Sequence, residues 1–230
     1  MIAHSTFIIH HYPFPQILMR KIYLLLLFPF LGLLLGCTKN LPKYYEVYRN
    51  DFENGRGDLR VYSFSTIDTA RRSLFFNNTH MLGPLNHKAV YRDFVALPKH
   101  SLLKITFDLY LHDQWTGNKW PSPDLWALFL DKKRTFTTTF SNTDGFLQAY
   151  PETEGHYLPP GANAYRRDLP GLCSMSASKT GSSVYQITWI KAHSNTKLEL
   201  ALSDLVVENN PCIKSWSIDN LVVTCIAYDN

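Results

Sequence analysis

Long apolar runs are scarce in this chain of 230 residues. The longest, residues 22–36, is broken by Pro29. A helix needs ~20 apolar residues to cross a bilayer, so this run suits the core of an export signal better than an anchor helix. The signatures of common catalytic sites are missing as well: no G-x-S-x-G elbow, no H-E-x-x-H and no phosphate-binding P-loop. No C-x-x-C or Cys/His spacing points to zinc. A glycosidase of the two-carboxylate type needs two acids facing one cleft. Glu152-Thr153-Glu154 alternates but sits between Pro151 and Gly155, where solvated turn acids are expected. Basic runs longer than a pair are limited to Lys132-Lys133-Arg134, which reads as a solvated turn. With Arg20 and Lys21 of the leader set aside, 21 basic residues stand against 19 acidic ones, a net of +2. So small an imbalance implies neither nucleic acid nor an anionic surface as partner.

What is present begins at the N-terminus. Arg20-Lys21 precedes the apolar run, and the run closes on Leu34-Leu35-Gly36-Cys37, followed by polar Thr38-Lys39-Asn40. This segment resembles the bacterial lipobox, in which a small residue precedes a cysteine that is lipidated and becomes the first residue of the mature protein. The resemblance implies a leader and signal peptide over 1–36, a lipidation site at Cys37 and a tether over 37–46. The domain proper then occupies 47–230. It also implies a cell-envelope location, anchored to membrane lipid. Thr38 in place of an acid is compatible with outer-membrane delivery. Met19 stands directly before the basic pair, so 1–18 reads as an over-extended start or an extra leader.

The remainder reads as strands. In Leu103-Lys104-Ile105-Thr106-Phe107-Asp108-Leu109-Tyr110-Leu111 every second residue is apolar, the period of a half-buried strand, and Leu198-Glu199-Leu200-Ala201-Leu202-Ser203 repeats it. Strands are expected over 47–52, 73–77, 89–97, 102–112, 125–131, 135–141, 183–192, 198–207 and 216–228. No amphipathic helix of three turns is found. An all-β, antiparallel sandwich follows. The Gly/Pro/Ser-rich stretch 142–182 is expected to fold over the surface, packed by its own aromatics. Export exposes cysteines to oxidation, and Cys173 and Cys212, both in loop-like surroundings, are the candidate disulfide pair. Cys225, inside an apolar pattern, reads as a small buried hydrophobe.

Several motifs carry a further resemblance. Leu97-Pro98-Lys99-His100, Phe107-Asp108-Leu109-Tyr110, Asp113-Gln114-Trp115-Thr116-Gly117-Asn118, Pro123-Asp124-Leu125-Trp126 and Ser215-Trp216-Ser217-Ile218-Asp219-Asn220 together resemble the jelly-roll domains of secreted and surface proteins. These include the MAM-like and carbohydrate-binding-module sandwiches. The resemblance implies that the early Phe52-Glu53 and the late Ile218-Asp219 lie side by side. Glu53 and Asp219 would then share a structural calcium, with Asp51 and Asn220 as further ligands. Calcium takes 6–8 hard oxygen ligands, which suits this residue set; backbone bonding and turn capping are the alternative roles.

Trp115, Trp120 and Trp126 crowd twelve residues. Trp126 alternates into a strand and is expected in the core. Trp115 and Trp120, with Asp113, Asn118 and Asp124 beside them, form a candidate sugar-binding set, because aromatic faces stack on sugar rings and carboxylates accept from hydroxyls. The alternatives are packing under the long loop for the tryptophans and turn-holding bonds for Asp113 and Asn118. His112 beside Asp113 is the one His/acid neighbour, yet adjacent strand residues face opposite ways. The expectation is a non-catalytic, lipid-anchored binding or adhesion domain with a polysaccharide ligand. A protein-interaction or envelope-assembly module is the alternative, and a divergent hydrolase the third.

Overall fold

A computed structural model describes residues 41–63, 66–70 and 73–228. Cys37 and the leader lie outside the described residues. The chain from Pro42 to Tyr228 is one compact unit. Its strands are β1 (Lys43–Asn50), β2 (Arg60–Ser63), β3 (Thr66–Asp68), β4 (Ser73–Phe76), β5 (Thr79–Leu85), β6 (Lys88–Phe94), β7 (Leu102–Asp113), β8 (Leu125–Leu130), β9 (Lys133–Thr139), β10 (Arg166–Leu169), β11 (Ser182–Ala192), β12 (Leu198–Asp204) and β13 (Lys214–Ala227).

They form two antiparallel sheets. One has the order β10-β11-β7-β13-β5-β4, with β1 pairing alongside β13; the other runs β3-β2-β6-β12-β8-β9. From β5 to β8, and again from β11 to β13, every connection crosses from one sheet to the other, the winding of a jelly roll. The all-β sandwich expected from the alternation is therefore the fold. The alternating residues point as their period requires: Leu103, Ile105, Phe107, Leu109 and Leu111 of β7 face Leu198, Leu200 and Leu202 of β12 across one core. Trp126 and Trp216 meet edge to face in its middle at 6.0 Å.

Two features differ from the sequence reading. First, β1 begins at Lys43, inside the stretch expected to be tether. Tyr44 and Tyr45 suit a strand, and Lys43 through Asn50 pair with Ala227 through Leu221. Second, strands β2, β3, β5 and β10 were not expected. Gly83 and Pro84 within β5 look like strand breakers, but there the sheet needs the missing side chain: a Cβ on Gly83 would come 2.0 Å from Ser217 Oγ of β13.

The stretch 142–182 is ordered around one amide. Gln148 is fully buried. Its Oε1 accepts from Ser141 N, Gly161 N and the Tyr185 hydroxyl at 2.9–3.1 Å. Its Nε2 donates to the carbonyls of Tyr150 and Ala162. Tyr150 packs tilted against Phe140 and edge to face against Tyr185, so the loop is held by its own aromatic as well as by the amide. A disulfide joins Cys173 to Cys212, and Cys225 is a buried free thiol.

A buried polar seam runs between β7, β11 and β13. Ser182 donates its hydroxyl proton to Pro170 O, so its oxygen accepts from His112 Nδ1–H at 2.9 Å. That fixes the neutral tautomer, with His112 Nε2 accepting from Ser217 at 3.1 Å. Complete burial holds the imidazole neutral and drives its pKa down to about 3. Although this is a serine–histidine contact, His112, Ser182 and Ser217 are all sealed from solvent, and their bonds serve the core.

Candidate functional site

The β7–β8 loop, at the end of the sandwich where Asp113 pairs with Lys214, is built by turn chemistry. Gly117 has φ +53°, and its carbonyl accepts from Asp124 N at 2.7 Å. A Cβ there would meet Leu147 O at 2.1 Å, so only glycine fits. Asn118 ties this loop to its neighbours: its Nδ2 donates to His156 O, and its Oδ1 accepts from the Thr139 hydroxyl.

Of the two tryptophans expected as platforms, one is open to solvent and one is not. Trp115 is wholly buried and donates its indole N–H to Ser215 O at 2.9 Å, so it is a core residue and cannot touch a ligand. Asp113 is equally buried; its Oδ1 accepts from Cys173 N and Met175 N and so anchors the disulfide loop. Asn118 spends its amide on the loop bonds above. These three are corrected from ligand contacts to structural groups, Trp115 and Asp113 because they are sealed from solvent and Asn118 because its amide is bonded within the fold.

Trp120, by contrast, is 88% exposed. It stands on the rim of a cavity of about 360 Å³ whose other walls include Thr116, Lys119, Ser122, Glu208 and Lys214. The floor holds a pair that the sequence did not disclose. Lys214 Nζ lies 2.6 and 2.7 Å from the two oxygens of Asp124, and both residues are more than nine-tenths buried. Asp124 Oδ2 also accepts from Thr116 N and the Thr116 hydroxyl. Asp124 thus lines the cavity as the counter-ion of Lys214. Lys119 leans over the Phe146 ring at 5.5 Å. The wall carries as many formal positive as negative charges, an exposed aromatic face and several hydroxyl and amine donors.

Glu53 and Asp219 do come together. The Thr79 hydroxyl lies 2.7 Å from Glu53 Oε1 and 3.0 Å from Asp219 Oδ2. His80 contributes its backbone N–H to Glu53 Oε1 and its ring Nδ1 to Oε2, each at 2.9 Å. Bonds from Thr79 and His80 hold the Glu53 carboxyl down at about 2. Asp219 moves the other way: burial raises it, with Asp108 and Glu53 adding repulsion. The Thr79 proton can go to only one of the two carboxyl groups at a time, and Asp219 Oδ1 also accepts from Asn220 N at 2.7 Å. The other two proposed ligands turn elsewhere. Asp51 caps Glu53 N, and Asn220 donates its amide to Asp108. Among the described residues no group of three His, Cys, Asp or Glu is arranged to hold a metal ion.

Two histidines far apart in the sequence are paired. His100 Nε2 and His193 Nδ1 lie 2.7 Å apart with stacked rings. His193 Nε2 approaches Asp131 at 3.3 Å, within ion-pair range though not aligned as a hydrogen bond. The pair sits at the end of the sandwich opposite Trp120 and lines no part of its cavity.

No family model matches the sequence, and no curated protein matches it. Solved structures with a similar course of chain include latent PorU from Porphyromonas gingivalis, at 12% identity and TM-score 0.38, covering 83% of this chain. This chain spans 13% of that one. A family 35 carbohydrate-binding module from Clostridium thermocellum is similar at 8% identity and TM-score 0.33, over 80% of this chain and 97% of that one. The module of Abf62 from Cellvibrio japonicus matches at 10% identity and TM-score 0.32, over 81% and 98%. The likeness is one of chain course and carries no activity or ligand across.

Proposed function

We propose that this is a non-catalytic, glycan-binding β-sandwich held at the cell envelope by lipid on Cys37. The observation that carries the glycan reading is Trp120: a nearly bare indole beside a cavity with balanced charge and hydroxyl-bonding groups. Sugar rings offer an apolar face for stacking and hydroxyls for the rim, and a cavity of about 360 Å³ suits one or two rings. Geometry also supports the anchored arrangement. The domain starts at Pro42, with Lys43 opposite Ala227 and Ile226 opposite Leu102. The Trp120 loop leaves the far end of the 12-residue β7, about 40 Å away. A chain attached upstream of Pro42 would hold the cavity away from its attachment.

Glycan arrays and polysaccharide pull-down with wild-type protein and Trp120→Ala test the reading. Binding by wild type and its loss in the variant are expected; a wild type that ignores every glycan overturns it in favour of a protein partner. The variant removes an exposed side chain, so folding is not at stake. A structural calcium on Glu53 and Asp219 belongs to the same proposal. Two carboxylates and the Thr79 oxygen bring hard oxygen donors to one place, which supports the reading. Its test is the thermal midpoint with and without chelator: a drop supports the ion, and an unchanged midpoint removes it.

A further inference from the structure

A net charge near zero conceals how charge is distributed along this sandwich. At the end where the chain enters the domain, the register brings together the β6–β7, β8–β9 and β11–β12 connections and the end of β13. Ser101 N donates to Ile226 O, His193 N to Ser101 O, and Leu97 N to Thr196 O, so these loops form one surface. Five exposed lysines crown it: Lys99, Lys132, Lys133, Lys191 and Lys197. Two acids stand beside them, Asp131 facing His193 at 3.3 Å and Glu199 facing Lys132 at 3.5 Å, and the five lysines outnumber them. At the opposite end the exposed acids Asp144, Glu152 and Glu154 stand against Lys119 and Lys179.

Apolar side chains stand exposed among the lysines. Val95 is 72% exposed at a loop tip, Tyr44 62%, Ile190 51% and Tyr228 46%. Lysines on flexible stems mixed with tyrosines and short aliphatics are what an anionic lipid–water interface accepts. The ammonium groups meet lipid phosphates while the apolar bodies enter the headgroup layer.

We infer that this end of the domain docks on an anionic phospholipid surface, with the five lysines against headgroups and Val95, Tyr44, Ile190 and Tyr228 in the interface. Docking rests on the proposed membrane attachment only for bringing the domain to the bilayer. It gives attachment an orientation, with β7 standing off the membrane and Trp120 at its tip.

The test uses the full chain with vesicles of phosphatidylcholine alone and vesicles that also carry phosphatidylglycerol. Flotation is followed by hydrogen–deuterium exchange. In anionic vesicles the amides of 95–100 and 194–197 should exchange roughly tenfold more slowly than in neutral ones, while those of 116–123 stay unchanged. About 1 M salt, where the screening length is ~3 Å, should erase the difference. So should the combined variant Lys99→Glu, Lys132→Glu, Lys191→Glu, Lys197→Glu, whose positions are all exposed. A chain that floats with both vesicles but exchanges alike in each overturns this inference and leaves anchoring intact. Flotation with anionic vesicles alone supports docking without the anchor, and flotation with neither overturns both.

Discussion

Acid should weaken this protein through one buried ring. His112 is neutral in the fold with a pKa of about 3, against an ordinary value of 6.5, and burial is the cause. The unfolded chain takes up the proton that the folded one refuses, so stability is present above pH 6.5 and is lost as the pH falls toward 3. At pH 4.5 the unfolded imidazole is two units below its pKa while the folded one has barely begun to titrate. The loss from this residue is then about 3 kcal/mol at 1.36 kcal/mol per unit, a large part of the stability of a typical domain. Urea unfolding at pH 7.0, 5.5 and 4.5 on wild type and His112→Gln isolates it, because acid effects from every other group are common to both. The variant loses about 1–3 kcal/mol at pH 7 from its altered bonds to Ser182 and Ser217. The stability of wild type relative to the variant should then fall by about 3 kcal/mol on going to pH 4.5, so that the gap closes or changes sign. A gap that stays constant with pH would refute the buried neutral imidazole.

Gln148→Leu removes the bonds that its amide makes with Ser141 N, the Tyr185 hydroxyl and the Tyr150 and Ala162 carbonyls, leaving Gly161 N only its bond to Ser141 O. It should cost about 3 kcal/mol or more in urea unfolding; a loss under about 1 kcal/mol would mean that water replaces the amide. The Cys173–Cys212 bond closes a loop with a sequence separation of 39. Replacing both cysteines by alanine should therefore destabilise by about 4 kcal/mol, read as a lower thermal midpoint that reductant no longer shifts. Lys214→Met strands the buried Asp124 carboxylate and should cost about 3–5 kcal/mol, whereas Lys214→Met with Asp124→Leu should recover most of it. A double variant no better than the single one would contradict the pairing.

Residues near in sequence told the most about the fold. The two-residue alternation of β7 and β12 and the burial of Trp126 were legible because strand period and core face are local properties. The extra strands were not. β5 contains Gly83-Pro84, which a local reading takes as an interruption, and the reason for the glycine is Ser217, more than a hundred positions away. Trp115 was misread for a related reason. Its neighbours Asp113, Thr116 and Asn118 look like a solvated loop, but Asp113 is bonded by the amides of Cys173 and Met175, Thr116 donates to Asp124, Asn118 is tied to Thr139 and His156, and the indole itself is bonded to Ser215, a hundred positions away. The Lys214–Asp124 pair spans 90 positions and the His100–His193 pair 93. No composition or spacing exposes such pairs. The Glu53–Asp219 juxtaposition was reached through motif resemblance, whereas the Thr79 and His80 bonds that define it appear only in the fold.

Trp120 fluorescence tests the central claim most directly. Three of the other tryptophans, Trp115, Trp126 and Trp216, are fully buried, and Trp189 is partly buried, so acrylamide quenching reports chiefly on Trp120. Quenching should fall when a bound polysaccharide covers the indole, and this protection should vanish in Trp120→Ala. Quenching that no glycan relieves, measured on protein whose fold is intact by circular dichroism, would contradict a sugar-binding role for this face.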